Sequence, residues 1–429
     1  MTARPAGLAP RLAALAEQLT GRPLPVGLRA YDGSEAAPGG GPPSLEIASP
    51  VALRRMVWNP GELGIADAYV TGDLQVHGDL LSLLRLLHDG AGGAAPGRRD
   101  RSLAAALAGA ARLVLAAGVL GPRPPVPAAR ARVSGRRHSP ARDKAVIAHH
   151  YDLSNDFYEL LLDPAMCYSC GYWTSRDPGY GLADAQRDKL DLVCSKLGLG
   201  PGMRLLDIGC GWGSLVYHAA VHCGVTVTGV TLSGEQAQYA RRRIASAALD
   251  GSAEIRLTDY RDIDDGPYDA IGVIEMGEHV GAAEYPAFAA RLAGLLRPGA
   301  RLLIQQMSRG PRGPDGGPFI ASYIAPDMHM RPLPQTLALL QDVGLEIVSA
   351  EGMREHYVRT FQAWRDTLDA RFGEVTSLLG PQGARVWRLF LAGGGLAFER
   401  GTTGVDQIVA AVAHGSGRPA RAPGRPARR

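Results

Sequence analysis

Hydrophobic and polar positions along the chain change period repeatedly, and each change predicts an element boundary. In the second half, short apolar runs alternate with stretches whose apolar residues recur every three to four positions. The runs at 205–208, 225–230, 254–257, 268–274, 300–307 and 345–349 predict strands. The stretches at 182–197, 214–220, 234–247, 285–296 and 333–343 predict helices between them. Strands alternating with helices make an α/β fold with a Rossmann-like, doubly wound, mostly parallel sheet. Ligands of such sheets sit beyond the carboxyl ends of the strands. Helical spacing continues at 357–379 and 385–399, and the apolar run 405–412 predicts a last strand at the sheet edge.

The first part reads differently. Helical spacing at 8–19, 63–70 and 80–87, with a strand over 44–51 and a short helix over 52–58, predicts a smaller N-terminal α+β domain, residues 1–95. An apolar stretch follows at 103–120, dominated by Ala and Gly and carrying Arg112. An arginine inside a spanning helix costs about 2.5–3.5 kcal/mol on insertion scales, so the stretch predicts an interfacial helix rather than a span. Pro122, Pro124, Pro125 and Pro127 end it, and 96–143 reads as a basic linker. A catalytic domain over 144–412 and a disordered tail over 413–429 complete the division. The Gly/Pro-rich excursion 308–331 has the length of a lid or substrate wall.

Charge adds a partner to this picture. The net charge is only +4, but eleven bases between Gly90 and Lys144 face two acids, a surplus of +9. The tail adds +5, which leaves −10 for the rest. Basic segments on an acidic body predict an anionic surface as partner, either lipid or nucleic acid. Five cysteines make no disulfide framework, and no charged-then-apolar leader opens the chain, so a reducing cytoplasm is expected.

The chemistry concentrates at the strand ends. Leu205-Leu206-Asp207-Ile208 runs directly into Gly209-Cys210-Gly211-Trp212-Gly213 and a helix. Glycines let the backbone turn sharply and approach a ligand, and the helix N-terminus offers free N–H donors. A dinucleotide fingerprint needs GxGxxG, and position 214 is Ser, so the turn predicts a nucleoside cofactor without pyrophosphate: S-adenosylmethionine. Asp207, Thr231, Asp259-Tyr260, Glu275, Glu278-His279 and Gln305 are polar groups at other strand ends, although any one of them could be an ordinary cap or turn residue. Of the neighbours Glu278 and His279, Glu278 is the stronger acid/base candidate. Thr231-Leu232, with Gln236 a turn later, stands where such sites usually place a carboxylate. Cys167 and Cys170 form a CxxC without a second pair, which argues against zinc and leaves a redox pair open. Tyr151, Phe157, Tyr158, Tyr168, Tyr172 and Trp173 form an aromatic cluster that is either packing or a cradle for cationic charge.

Several of these stretches resemble the cyclopropane-fatty-acyl-phospholipid synthase family, which includes the mycolic acid cyclopropane synthases. They are His150-Tyr151-Asp152-Leu153-Ser154-Asn155-Asp156-Phe157-Tyr158, Tyr168-Ser169-Cys170-Gly171-Tyr172-Trp173, the glycine turn, Gly229-Val230-Thr231-Leu232-Ser233, Glu278-His279-Val280-Gly281, and Tyr357-Val358-Arg359-Thr360 with Trp364. The resemblance implies a class I methyltransferase fold. It implies transfer from S-adenosylmethionine to a cis double bond of a phospholipid acyl chain, through a carbocation deprotonated by bound bicarbonate. It implies a bicarbonate cradle of Glu278, Tyr357 and the backbone of Cys170 and Met307. Cofactor contacts would come from Tyr168, Ser169, Asp207, Gly209, Gly211, Thr231, Leu232, Gln236, Tyr260 and Arg261. It implies peripheral attachment to the inner face of a membrane, with no nucleic acid and no metal, and it leaves room for a homodimer. Where the family carries His-Thr-Ile, this chain has Gln305-Gln306-Met307, and Gln donates but does not titrate. That departure opens two alternatives: a methylene- or methyl-branched product, and an inert lipid-binding protein.

Overall fold

The structure is a computed structural model that describes residues 7–36, 43–91, 119, 121–151, 154–310, 313 and 315–413. The helix expected at 103–120, apart from Val119, and the tail beyond His414 lie outside the described residues. The chain divides into two units: 1–130 with 379–396, and 131–378 with 397–429.

The first unit runs α1 (Leu8–Thr20), β1 (Gly27–Ala30), β2 (Glu35–Ala36), β3 (Ser44–Ile47), α2 (Pro50–Trp58), α3 (Glu62–Thr71), β4 (Leu74–His77) and α4 (Leu80–Ala91). The order β2-β1-β3-β4 makes a small four-stranded sheet. Only β3 was legible in the sequence; β1, β2 and β4 were not expected. Ser49 caps α2 by accepting from the Val51 N–H, with Pro50 at the first turn. Part of the expected basic linker is built into this unit. Arg130 forks onto buried Asp67 at 3.2 Å, and the Pro125 carbonyl accepts from Arg55 at 2.8 Å. Farther on, Arg137 and Arg142 both pair with Asp327 within the second unit. Three of the linker's arginines are thus paired with carboxylates of the chain.

The second unit runs α5 (Pro140–Tyr151), α6 (Asn155–Leu161), α7 (Leu182–Leu197), β5 (Arg204–Ile208), α8 (Ser214–Cys223), β6 (Thr226–Thr231), α9 (Gly234–Ser246), β7 (Ala253–Leu257) and β8 (Tyr268–Ile274). It continues through α10 (Tyr285–Gly294), β9 (Leu296–Arg309), α11 (Gly317–Tyr323), α12 (Leu333–Gln341), β10 (Leu345–Gly352) and α13 (Arg354–Ala370). After α14 (Phe372–Glu399), whose residues 379–396 belong to the first unit, it ends with β11 (Thr403–Val412). Gly380, at φ 70° and ψ 167°, breaks α14 just before Pro381. Seven strands in the order β10-β11-β9-β8-β5-β6-β7 form the predicted sheet, parallel from β9 to β7. Its central strands are buried on both faces, which is why they read as unbroken apolar runs.

One strand is misplaced by the sequence reading. β11 is not at the edge; it lies between β9 and β10, antiparallel to both. Asp406 and Gln407 gave it a polar interior, yet Gln407 is fully buried and hydrogen-bonded within the sheet.

Candidate active site

All ten residues expected to contact the cofactor line one cavity at the carboxyl ends of β5, β6 and β8. Gly209 (φ 77°) and Gly211 (φ 54°) turn the chain there, and the N–H groups of Gly209 and Cys210 both donate to the Val230 carbonyl. A Cβ on Gly209 would strike Met276 at 2.8 Å, so only glycine fits that turn. Thr231 Oγ1 donates to Gln236 Oε1 at 2.8 Å, which leaves the Gln236 amide nitrogen on the side of Gly211. An amide therefore stands where a carboxylate is usual. Arg261 is held by Asp259 and Asp143. Buried Asp207 is pushed up to about 7 by desolvation, against the pull of the Lys189 charge.

Further residues line the cavity, of which Lys189, Met166 and Asp143 were not foreseen as site residues. Lys189, buried on α7, donates to Ser169 Oγ at 3.0 Å, and Met166, Trp212, Asp143 and Glu275 also line the cavity. Trp212 sits 4.5 Å from Tyr158, Tyr158 is 5.5 Å from Tyr168, and Tyr168 is 5.3 Å from Trp364. Four rings thus form one aromatic run that reaches the cavity through Tyr168 and Trp212. Tyr172 and Trp173 point elsewhere: Tyr172 stacks on His356, and Trp173 Nε1 donates to Thr360. Cys167 and Cys170 are buried free thiols, and burial pushes both up, Cys167 to about 11. Among the described residues no cluster could hold a metal ion.

The structure assembles the second half of the site around a residue other than the expected one. Cys170 N donates to Glu275 Oε1 at 2.7 Å, and Gln305 Nε2 donates to the same oxygen at 2.8 Å. The Tyr357 hydroxyl donates to Glu275 Oε2 at 2.5 Å. Glu278 lies one turn on; it accepts only a long 3.4 Å bond from Met307 N, and its Oε2 is buried without a partner. Of the expected cradle of Glu278, Tyr357, Cys170 N and Met307 N, two donors, the Tyr357 hydroxyl and Cys170 N, are thus spent on Glu275, and Met307 N alone faces Glu278. The physical reason is position, because Glu275 follows β8 directly and its N–H is bound to the Gln305 carbonyl at 2.6 Å. A cradle already filled by a carboxylate of the chain does not fit a bicarbonate ion as well. Burial, and then the neighbouring Glu275 charge, push Glu278 up to about 8, so it is neutral at pH 7.

Arg331 explains how this turn is held. It is buried at the end of the 308–331 excursion, stacks 3.9 Å above Tyr285, and donates to the carbonyls of Val280 and Gly281. The excursion read as a lid thus also supplies the clamp beneath Glu278. The 170–173 segment is fixed from the other side, with Gly171 N donating to Thr360 and Trp173 N to His356 on α13.

Comparison with known proteins gives the family. The sequence model of the mycolic acid cyclopropane synthetase family matches residues 138–408. A Mycobacterium tuberculosis protein named probable fatty acid methyltransferase is 36% identical over 398 residues, covering 90% of this chain and 91% of its own length. The cyclopropane-fatty-acyl-phospholipid synthase of Escherichia coli K12 is 33% identical over 282 residues, 65% of this chain and 72% of its own. The solved structure of a mycolic acid cyclopropane synthase complexed with SAH and CTAB has a TM-score of 0.59 at 31% identity, covering 62% of this chain and 98% of that one.

Proposed function

The chain belongs to the mycolic acid cyclopropane synthetase family, and from that premise we propose that it transfers a methyl group from S-adenosylmethionine to a cis double bond of an unsaturated phospholipid acyl chain. The observation that carries this reading is the single cavity that joins the glycine turn, the aromatic run and a half-buried carboxylate. Gly209, Gly211, Thr231, Leu232 and Gln236 would hold the cofactor, with Tyr168 and Ser169 from the loop between α6 and α7. Bound there, S-adenosylmethionine supplies an electrophilic methyl group. An alkene is a poor nucleophile, so the chain's contribution is alignment and exclusion of water. The rings of Tyr168 and Trp212 at the cavity wall would stabilise positive charge, and the half-buried Glu275 carboxylate would complement a cation on the acyl chain.

The product we favour is a methylene-branched chain, because Gln305 stands where a titrating side chain would assist ring closure. A relative that aligns over 90% of this chain carries a fatty acid methyltransferase name, whereas the E. coli synthase aligns over 65% of it. The cyclopropane reading is supported by the solved cyclopropane synthase, 98% of which is covered. The acceptor surface we propose is anionic. Val57, Trp58, Ile65 and Val126 are exposed apolar residues of the first unit, beside the basic stretch. Among the described residues no helix is long and apolar enough to cross a membrane.

The test is turnover on vesicles of an anionic, oleoyl-containing phospholipid, with acyl chains read by mass and proton NMR. The expected result is a gain of one CH2 per modified chain, with vinylic signals. Upfield ring signals would select the cyclopropane reading. Turnover should fall steeply at about 1 M salt, where the Debye length is only about 3 Å. Cofactor binding without any acyl gain would overturn the proposal in favour of a lipid-binding protein.

A further inference from the structure

A polar line crosses the middle of the sheet, and methyl transfer by itself does not require it. Gln305 on β9 and Gln407 on β11 are register partners, and both are fully buried. Lys196 on α7 places Nζ 2.6 Å from Gln407 Oε1 and 2.6 Å from Glu351 Oε2. An ammonium only donates, so the Gln407 oxygen must face it. The Gln407 amide nitrogen then donates to Gln305 Oε1 at 2.8 Å. That leaves Gln305 with its own amide nitrogen, which donates to Glu275 Oε1. The line therefore has one sense, from a cation at its outer end to a carboxylate at the cavity wall.

Glu275 is also held in a backbone conformation that side chains rarely adopt, at φ 50°. Strain of this kind persists only where the surroundings over-determine it, and it clusters at functional sites. Here the surroundings are three donors on two oxygens: Gln305, the Cys170 N–H and the Tyr357 hydroxyl. A buried polar network with this degree of satisfaction fixes one geometry.

We propose that Glu275 takes the proton that the methylated acyl chain must lose, and that Lys196 positions it through Gln407 and Gln305. The inference rests on the methyl-transfer reading above. In the reaction, the alkene forms a carbon–carbon bond to the methyl carbon as that carbon's bond to sulfur breaks, and positive charge is left on the adjacent acyl carbon. For a methylene product, a hydride shift first brings the charge to the methyl-bearing carbon. A C–H bond of the transferred carbon then breaks; its electron pair closes the new double bond, or the ring, and its proton goes to Glu275. The carboxylic acid returns that proton to solvent.

The facing groups suit this role. Burial pushes Glu275 up, toward working pH, while its three donors restrain the rise. Glu278 on the next turn is neutral at pH 7. The Cys170 thiol and Tyr357 hydroxyl are held above their ordinary values, so neither adds negative charge. Lys189 of α7 contributes the opposing positive charge. Three hydrogen-bond donors on Glu275, against one long bond to Glu278, favour the charged form at Glu275.

The test compares wild type with Lys196→Met and Gln407→Leu in the full chain, measuring kcat against pH and cofactor affinity. Removing support for the charged form raises the Glu275 pKa, so the acid limb of kcat should move to higher pH by about one unit, a roughly tenfold loss below it. Cofactor affinity should not change, and Lys196→Arg should restore the limb. A uniform loss of kcat at every pH would show a merely structural role and overturn the positioning claim. In a second arm, wild-type turnover should persist when bicarbonate is stripped from the buffer. A bicarbonate requirement would overturn Glu275 as acceptor while leaving methyl transfer intact. Wild type that binds cofactor but modifies no acyl chain would overturn the methyl-transfer reading itself, and this inference with it.

Discussion

Glu275→Gln should lower kcat by about 10²- to 10⁴-fold, the usual range for removing a positioned proton acceptor, and leave cofactor affinity within about twofold. The substitution keeps the shape of the side chain. Its amide oxygen can still accept from Cys170 N and Gln305 Nε2, as Glu275 Oε1 does now. Its NH2 group can donate to the Tyr357 oxygen, reversing one bond without breaking the packing. What is lost is the capacity to take a proton and the charge that faces the acyl cation. Glu278→Gln should cost far less, because Glu278 is already neutral at pH 7 and engages one weak donor. Steady-state kinetics with calorimetric cofactor binding on both variants checks the pair. A loss at Glu278 equal to that at Glu275 would reassign the acceptor, and a parallel loss of cofactor affinity would make Glu275 a binding residue.

Gly211→Val should weaken cofactor binding by more than about 100-fold, with the fold retained. Position 211 has φ 54°, and a β-branched residue in that region is strained by about 1–3 kcal/mol. Space is not the obstacle within the protein, since the nearest atom to an added Cβ is Gln236 Nε2 at 3.9 Å. The side chain would instead occupy the cavity that the glycine turn opens. A domain of this size can absorb such strain and still fold. Calorimetric titration with S-adenosylmethionine and a thermal melt separate the two effects. An unchanged dissociation constant would remove the glycine turn from the cofactor site.

The parts of the fold that were legible in sequence are those whose physics is local. The strands β5, β6 and β8 are buried on both faces, so apolar runs gave them away, and the glycine turn advertised its own backbone demands. The cofactor wall was legible for the same reason, because it is strung along consecutive strand ends. The hydrogen-bonded cluster around Glu275 was not, although Glu275 itself stood among the polar strand ends. Glu275 is 105, 82 and 30 residues from Cys170, Tyr357 and Gln305, and no spacing rule joins such positions. The place of β11 inside the sheet was not legible for a related reason. Asp406-Gln407 looks like a solvent-facing pair in one dimension, whereas Gln407 is an internal link between Lys196 and Gln305. The basic linker misled similarly, since Asp67 and Asp327, which neutralise parts of it, lie far away in sequence.

The most direct measurement uses S-adenosylmethionine with a fully deuterated methyl group on oleoyl phospholipid vesicles, in buffer stripped of bicarbonate. If the chain methylates the double bond and its own carboxylate removes a proton from the transferred carbon, the product keeps two of the three deuterons, and Glu275→Gln yields almost none of it. Retention of all three deuterons, or turnover that returns only when bicarbonate is restored, would contradict the account.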